Sequence, residues 1–195
     1  MDLLKLIKER KTVRRYKNKP IPKKVLDKII EAGIWGPAVL ALGLQPWKFI
    51  VITNKELINK ISQILLKKTP TIGVGGNKVL RISSATIANA PAVIVVYNTT
   101  CVSKALKHFK NIYIKLGRSA EASANAAAIQ NMVLTADSLG IGSCWLDAPL
   151  FCEKKINKLL RVNESMSAML ALGYPVNKTK RSPRKPISET VRYIE

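Results

Sequence analysis

The sequence is poor in the residues that build metal centres, disulfide frameworks and catalytic triads. It has one histidine, His108, and three cysteines, Cys101, Cys144 and Cys152, with no CxxC pair among them. A sparse, odd set of cysteines is typical of free thiols in a reducing compartment, so we expect a cytoplasmic protein without a disulfide framework. A lone histidine among lysines is typical of the surface, and we predict neither a metal site nor a histidine-based catalytic site.

Long apolar runs are also missing. No stretch approaches the ~18 consecutive apolar residues that a membrane-spanning helix needs. The first 15 residues mix charged with apolar residues, which argues against a secretion signal. With 47% hydrophobic residues over 195 positions, we expect a single folded domain over 1–195 with a substantial core.

Acidic residues are scarce: 12 Asp and Glu stand against 33 Lys and Arg, a net charge of +21. Such a charge attracts anions, including nucleic acid and phosphorylated ligands. The cations are spread along the chain, however, and only 6% of the residues are aromatic, so surfaces on which bases could stack are few. We interpret most of the lysines as solvated surface and do not expect nucleic acid to be the partner.

Apolar periodicity and turn residues predict interspersed helices and strands. The predicted helices span 2–10, 23–34, 54–66, 103–117, 119–139 and 153–160. Strands are predicted at 48–52, 92–97 and 168–175, and residues 141–146 are predicted to be a glycine-hinged turn into a short strand. The tail is predicted to be an extended arm that finishes in a short helix or strand near 189–194. Because the order does not follow a strict βαβ rhythm, we predict an α+β fold with a mixed sheet.

The predicted helix at 119–139 is the central element. Its alanines and the apolar residues that follow occupy most of its circumference, which predicts burial on nearly all sides. Small side chains allow close approach, so we expect another helix, from this chain or a second subunit, to pack tightly against it. Gly140 is placed to end the helix, and Gly142 follows two residues later. The two glycines fit a helix cap with a tight turn, or bare backbone against a flat ligand.

Three further segments each allow two interpretations. Arg10–Tyr16 combines guanidinium groups with the Thr12 hydroxyl, which suits a phosphate monoester, but an ordinary basic loop has the same composition. The apolar residues 38–44 need covering by a ligand or partner chain, or form a plain core loop. Residues 67–78 lack the spacing of a phosphate-binding loop and are either an irregular surface segment or a mobile lid.

Five motifs, in this order along the chain, resemble the flavin-dependent nitroreductase family. They are RKTVRRY at 10–16, WGP closing with QPWKFIV at 35–51, APAVIVVY at 90–97, AAAIQNMVLTADSLGIGSCW at 126–145, and LALGYP followed by RSPRKP at 170–186. The resemblance implies a mixed sheet flanked by helices in an intertwined homodimer. It also implies an FMN molecule at each of two sites in the subunit interface, and a C-terminal arm that adds to the partner's sheet.

The same resemblance implies which residues contact FMN. The phosphate would be held by Arg10, Lys11, Thr12, Arg14, Arg184 and Lys185, with Arg181 a further candidate; the ring would face Gly140, Ile141, Gly142 and Ser143; the second subunit would supply Gln45. The family's serine and asparagine between Pro37 and Gln45 are absent, and the interval is two residues longer, so contacts there must differ. The segment 67–87 is a variable insertion that no motif covers.

The implied activity is that of an NAD(P)H oxidoreductase. Hydride would pass from NADH or NADPH to the flavin N5 atom, and then to a nitroaromatic, a quinone or a similar conjugated acceptor. No catalytic side chain is needed, because the flavin carries the chemistry; Lys11 or Arg14 would stabilise negative charge on the reduced ring. Cys144, beside Trp145, is predicted to be buried and inert.

The alternatives come from different classes. One is a flavin enzyme of the same fold that performs reductive dehalogenation or a biosynthetic oxidation. Another is a protein that binds FMN without turning over NAD(P)H. The third is a basic nucleic-acid-binding protein, whose affinity would fall steeply with salt.

Overall fold

The computed structural model describes residues 2–39, 43–69, 74–177 and 182–194. Its α-helices are α1 (Leu3–Glu9), α2 (Lys23–Ile34), α3 (Lys55–Lys68), α4 (Val74–Asn89), α5 (Cys101–Ala105), α6 (Asn111–Ser138), α7 (Glu153–Leu160) and α8 (Ile187–Thr190). Its strands are β1 (Trp47–Ile52), β2 (Ala92–Asn98), β3 (Gly142–Leu146) and β4 (Ser165–Gly173), and a 3-10 helix spans Ala148–Cys152. None of the described helices combines the length and apolar character of a membrane span.

The four strands form one sheet in the order β1-β2-β4-β3, and each neighbouring pair is antiparallel. Within the described residues, parallel pairing is limited to a bridge between Thr12 and Ser143. The predicted α+β class is therefore confirmed, and the sheet is mixed only through this bridge. Interspersed helices predict layers but not strand directions, because a helix can connect strands of either sense.

The sheet separates two layers of helices. Alternate residues of β2 point to opposite faces: Val93, Val95 and Tyr97 pack into the core beneath α3, α4 and α7. Ile94 and Val96 pack instead into the core beneath α2 and α6. Both faces of the central strands are covered, which explains why residues 92–97 of β2 are all buried.

Helix α6 is longer than predicted and is buried along one stripe only. It begins at Asn111, so the predicted boundary near 118 is wrong. Gly117 lies inside the helix and close to α5, since a Cβ there would lie 3.3 Å from the Ser103 Cα. The stripe through Ala128, Met132 and Ala136 is buried, whereas Ile112, Tyr113 and Leu116 are 65%, 46% and 55% exposed. The predicted burial on nearly all sides is not reached within one chain.

In the segment predicted to be irregular at 67–78, the described residues are mostly helical. Helix α3 continues to Lys68 and α4 begins at Val74, while residues 70–73 lie outside the described part of the chain. Gly75 and Gly76 hid α4, because glycine has a low helix propensity. Helices α3 and α4 are joined by reciprocal bonds, in which the Ser62 and Ser84 hydroxyls each donate to the other residue's carbonyl at 3.0 Å.

The predicted cap of α3 is confirmed: the backbone N–H of Leu57 donates to Asn54 Oδ1 at 2.9 Å.

A substitution at Gly173 tests how tightly the N-terminal segment packs on β4. A Cβ at Gly173 would lie 2.7 Å from the Tyr16 Cβ and from the Pro91 Cδ. We expect Gly173→Ala to lower the free energy of unfolding by about 1–3 kcal/mol through overpacking, measured by urea denaturation. Gly75→Ala is the control, since its Cβ would meet nothing within 4 Å. Equal stabilities for the two variants would contradict this packing.

Candidate functional site

The basic segment after α1 is laid along the edge of the sheet by backbone contacts. Arg10 ends α1 with extended backbone angles, and the N–H of Val13 donates to the Ser143 carbonyl of β3 at 2.9 Å. Three residues further on, Tyr16 forms a bridge with Pro175. Val13 and Tyr16 are buried, while Arg14 is exposed. Buried Val13 and Tyr16 therefore anchor the segment, while Arg14 and Arg15 between them face outward.

The two glycines that follow α6 have different roles. Gly140 has a φ of +73°, and Ile141 N donates back to the Ala136 carbonyl at 2.8 Å, so this turn closes the helix. At Gly142 a Cβ would lie 2.8 Å from Val13 Cβ. The missing side chain of Gly142 thus makes room for the N-terminal segment. The geometry of Gly140 supports the helix-cap interpretation. At Gly142 the neighbour of the bare backbone is the Val13 side chain.

A cleft of about 310 Å³ opens beside this contact. Its walls come from Arg14, from one face of α4 and from β3 with the residues that follow it. They are Arg14, Val79, Ile82, Ser83, Cys144, Trp145, Leu146, Asp147 and Ala148. The indole N–H of Trp145 donates to Asp147 Oδ1 at 2.8 Å, which fixes the indole at the rim.

A second cleft, of about 290 Å³, lies on the other side of the basic segment and is lined by Lys11, Val13 and Asp137 among others.

Cationic and polar groups of the segment converge close to Ser143. The Arg10 guanidinium donates to Thr12 Oγ1 at 3.3 Å, and Thr12 is the residue that bridges to Ser143. The Ser143 hydroxyl is buried and has no hydrogen-bond partner among the described residues. A buried hydroxyl without a partner costs free energy, so this position is suited to a bound polar group.

Burial controls the protonation of the neighbouring acids. It raises the pKa of the Cys144 thiol, against the smaller lowering effect of Arg14 and Arg10. A buried thiol of raised pKa is a poor nucleophile, which supports the prediction of an inert cysteine. Burial also raises the pKa of Asp137; Arg10 opposes that shift, Glu9 adds to it, and Lys11 opposes it more weakly.

The structure brings together some of the predicted residues and separates others. Arg10, Lys11, Thr12 and Arg14 lie next to Gly142 and Ser143, with Gly140 and Ile141 directly before β3. Gln45 lies elsewhere: it precedes β1, on the sheet edge opposite β3. Trp47 is in register with Asn98 and through it with Ser165, whereas Gly142 pairs with Gly173 at the far end of β4. Along the strands alone this separates them by about 25 Å.

The tail residues are also apart from this cluster in their contacts. The Arg184 guanidinium donates to the carbonyls of Ser182 and Pro183 at 3.3 Å, and Lys185 faces Glu189 at 4.0 Å. Both side chains are exposed. Arg181 lies outside the described residues.

Sequence reasoning missed the α4 wall of the first cleft. A signal was available, because Leu80, Ser83, Ser84 and Ile87 are spaced as one face of a helix and are buried. The glycines at the start of α4 outweighed it. Trp145 and Asp147 were also missed as cleft residues, since an isolated i, i+2 pair carries no periodic signal.

Comparison with known proteins gives this arrangement a context. The model of the nitroreductase family matches residues 7–174. A Methanothermobacter thermautotrophicus protein with the provisional name NADH dehydrogenase/NAD(P)H nitroreductase is 28% identical over 179 residues, covering 90% of this chain and 78% of its own length.

Two solved structures share the fold. A BluB-like flavoprotein from Clostridium difficile 630 superposes with a TM-score of 0.81 at 28% identity, and the match covers all of both chains. A provisionally named nitroreductase from Desulfovibrio desulfuricans, solved in complex with FMN, superposes with a TM-score of 0.74 at 25% identity, over 100% of this chain and 98% of its own. With the family match spanning most of its length, this chain belongs to the nitroreductase family.

Proposed function

We propose that this protein is a cytoplasmic, FMN-dependent oxidoreductase that takes hydride from NADH or NADPH and reduces nitroaromatics, quinones or similar conjugated acceptors. The proposal is carried by one observation: the basic segment 10–14 bridges to Ser143 and lies beside a cleft that Arg14 lines. The relative named for NAD(P)H nitroreductase activity and the FMN complex of a structural neighbour support it.

The residues present fit FMN. A phosphate monoester needs charge-assisted donors and a hydroxyl, and Arg10, Lys11 and Thr12 supply a guanidinium, an ammonium and a hydroxyl within three consecutive positions. The buried Ser143 hydroxyl, which lacks a protein partner among the described residues, would gain one from the bound cofactor. Val79 and Ile82 give the neighbouring cleft apolar walls against which a ring system can pack.

The chain's own residues position the reaction. FMN, when bound, supplies the hydride chemistry. Arg10, Lys11 and Thr12 would bind its phosphate. Arg14 lines the cleft and would favour negative charge on the reduced ring through its positive field. Cys144 keeps its proton because burial raises its pKa, so it adds no competing anion.

We further propose that the working unit is a homodimer. Apolar side chains of α6 and α1 are open in the single chain; Leu116, Leu3 and Leu4 are each more than half exposed. Tyr193 and Ile194 of the tail are more than four-fifths exposed. A second copy that covers these faces would bury them, would bring its Gln45 to the cofactor, and would receive the C-terminal arm with Arg184 and Lys185.

An arginine substitution tests the cofactor site. We expect Arg14→Gln to weaken FMN binding about 10–100-fold, because the cleft would lose the cation that faces the anionic cofactor. Quenching of FMN fluorescence measures the affinity. Arg15→Gln is the matched control, since Arg15 is adjacent and exposed but lines neither cleft. If both variants bind FMN as the parent protein does, the site is elsewhere.

A charge placed on the open face of α6 tests the homodimer. We expect Leu116→Glu to convert a dimer into monomers, seen by sedimentation velocity, and to weaken FMN binding with it. Leu66→Glu on α3 is the control: Leu66 is also an exposed helical leucine, at 40%, but lies away from α6. A parent protein that sediments as a monomer would refute the proposed assembly.

A further inference from the structure

A third cleft opens at the end of the sheet remote from the contact between Val13 and Ser143. It has a volume of about 580 Å³ and lies between the end of β2, the start of β4, α5 and the first turns of α6. Its lining includes three cations, Lys104, Lys107 and Arg118, together with the neutral polar residues Asn98 and Ser103. Nothing in the basic segment 10–14 contributes to it.

The floor of this cleft is the buried carboxylate of Glu121, which is 0% exposed. Its Oε1 accepts from the backbone N–H groups of Val102 and Ser103 at 2.9 and 2.8 Å. Its Oε2 accepts from Asn98 Nδ2 at 3.1 Å, and the Ser103 hydroxyl lies 3.2 Å from both oxygens. Internal donors therefore occupy this carboxylate and tie α5 to the end of β2, which makes the cleft wall rigid.

The cations of the cleft are left without carboxylate partners. Within the described part of the chain, none of Lys104, Lys107 and Arg118 forms an ion pair, and Lys104 Nζ donates only to the Thr99 carbonyl, at 3.1 Å. The acid that precedes the lining residue Ser165 is Glu164, which is paired with Lys48 at 2.5 Å. Three cations against one occupied carboxylate leave the cleft net positive and open to an anion.

We propose that this cleft binds the oxyanion, phosphate or carboxylate, of a small-molecule ligand of the enzyme. Lys107 and Arg118 would bind the charge through charge-assisted hydrogen bonds. The role of this ligand as a substrate of the flavin reaction rests on the proposed function. Thr99 N donates to the Pro46 carbonyl at 2.8 Å, so the cleft borders the segment whose Gln45 would reach the FMN of the second subunit. An electron acceptor that carries an acidic group, or an anionic hydride donor, would then be held beside the flavin.

The test is a binding titration on the FMN-loaded protein, in which the flavin-phosphate site is already filled. Pyrophosphate and benzoate are titrated separately at 0.15 M salt, which screens long-range attraction, while the amide signals of the cleft are followed by NMR. We expect Arg118→Gln and Lys107→Gln each to weaken binding about 10-fold. Lys115→Gln should have no effect, since Lys115 is exposed on the same helix but does not line the cleft. Binding of pyrophosphate alone identifies a phosphate ligand, and binding of benzoate a carboxylate.

Three results would overturn the proposal: no binding of either anion, an equal loss with Lys115→Gln, or a loss with Arg14→Gln in place of Arg118→Gln.

A kinetic comparison separates this inference from the proposed function. Arg118→Gln should raise KM for 4-nitrobenzoate about 10-fold and leave KM for the isosteric 4-nitrobenzamide unchanged. Equal KM changes would refute the role in substrate binding. If neither compound is reduced but anion binding still depends on Arg118, the proposed function fails and the oxyanion site stands.

Discussion

One backbone hydrogen bond, from Val13 N to the Ser143 carbonyl, organises the candidate site. It can form only because Gly142 has no side chain, since a Cβ there would occupy the space of Val13. The contact turns a short basic segment, which would otherwise be solvated, into an extension of the sheet edge. Arg10, Lys11 and Arg14 are thereby held at a defined edge of the fold, and the cost of ordering them is met by the burial of Val13 and Tyr16. The placement of charge at this site thus depends on apolar anchoring.

A second constraint is that one chain leaves much apolar surface open. The outward face of α6 near its start, the apolar side of α1 and the tail are all exposed. The small side chains of α6 permit close packing, and among the described residues α1, α2, α5 and the sheet pack against this helix. In the proposed dimer the same surfaces become the interface. Gln45 can then reach the cofactor of the other subunit, although it lies far from Ser143 of its own chain. The third cleft, beside Pro46, would then lie next to the flavin and not at a remote end of the molecule.

How much of this could be predicted depends on how local the signal is. The bounds of α2 and α7 and the Asn54 cap follow from nearby residues, and the prediction was right for them. Helix α4 was missed because the two glycines at its start outweighed the regular spacing of its buried residues. The continuity of residues 111–117 with α6 was also missed, since the contact of Gly117 with α5 is tertiary and leaves no local signal. The sequence could not decide whether Gly142 serves a tight turn or a flat ligand, because its neighbour Val13 lies far away along the chain. The clustering of cations around Glu121 is likewise tertiary: β2, α5 and α6 must fold before those residues meet.

The most direct measurement is the visible absorption spectrum of the purified protein with FMN, recorded anaerobically before and after NADH or NADPH. We expect flavin bands that bleach on addition of the reduced nicotinamide and return when a nitroaromatic or a quinone is added. A protein that takes up no FMN would contradict the assignment of the basic segment as a cofactor site. Bound flavin that reduced nicotinamide cannot bleach would contradict the proposed oxidoreductase activity, while recovery of the bands only with a halogenated phenol would identify a dehalogenase on the same fold.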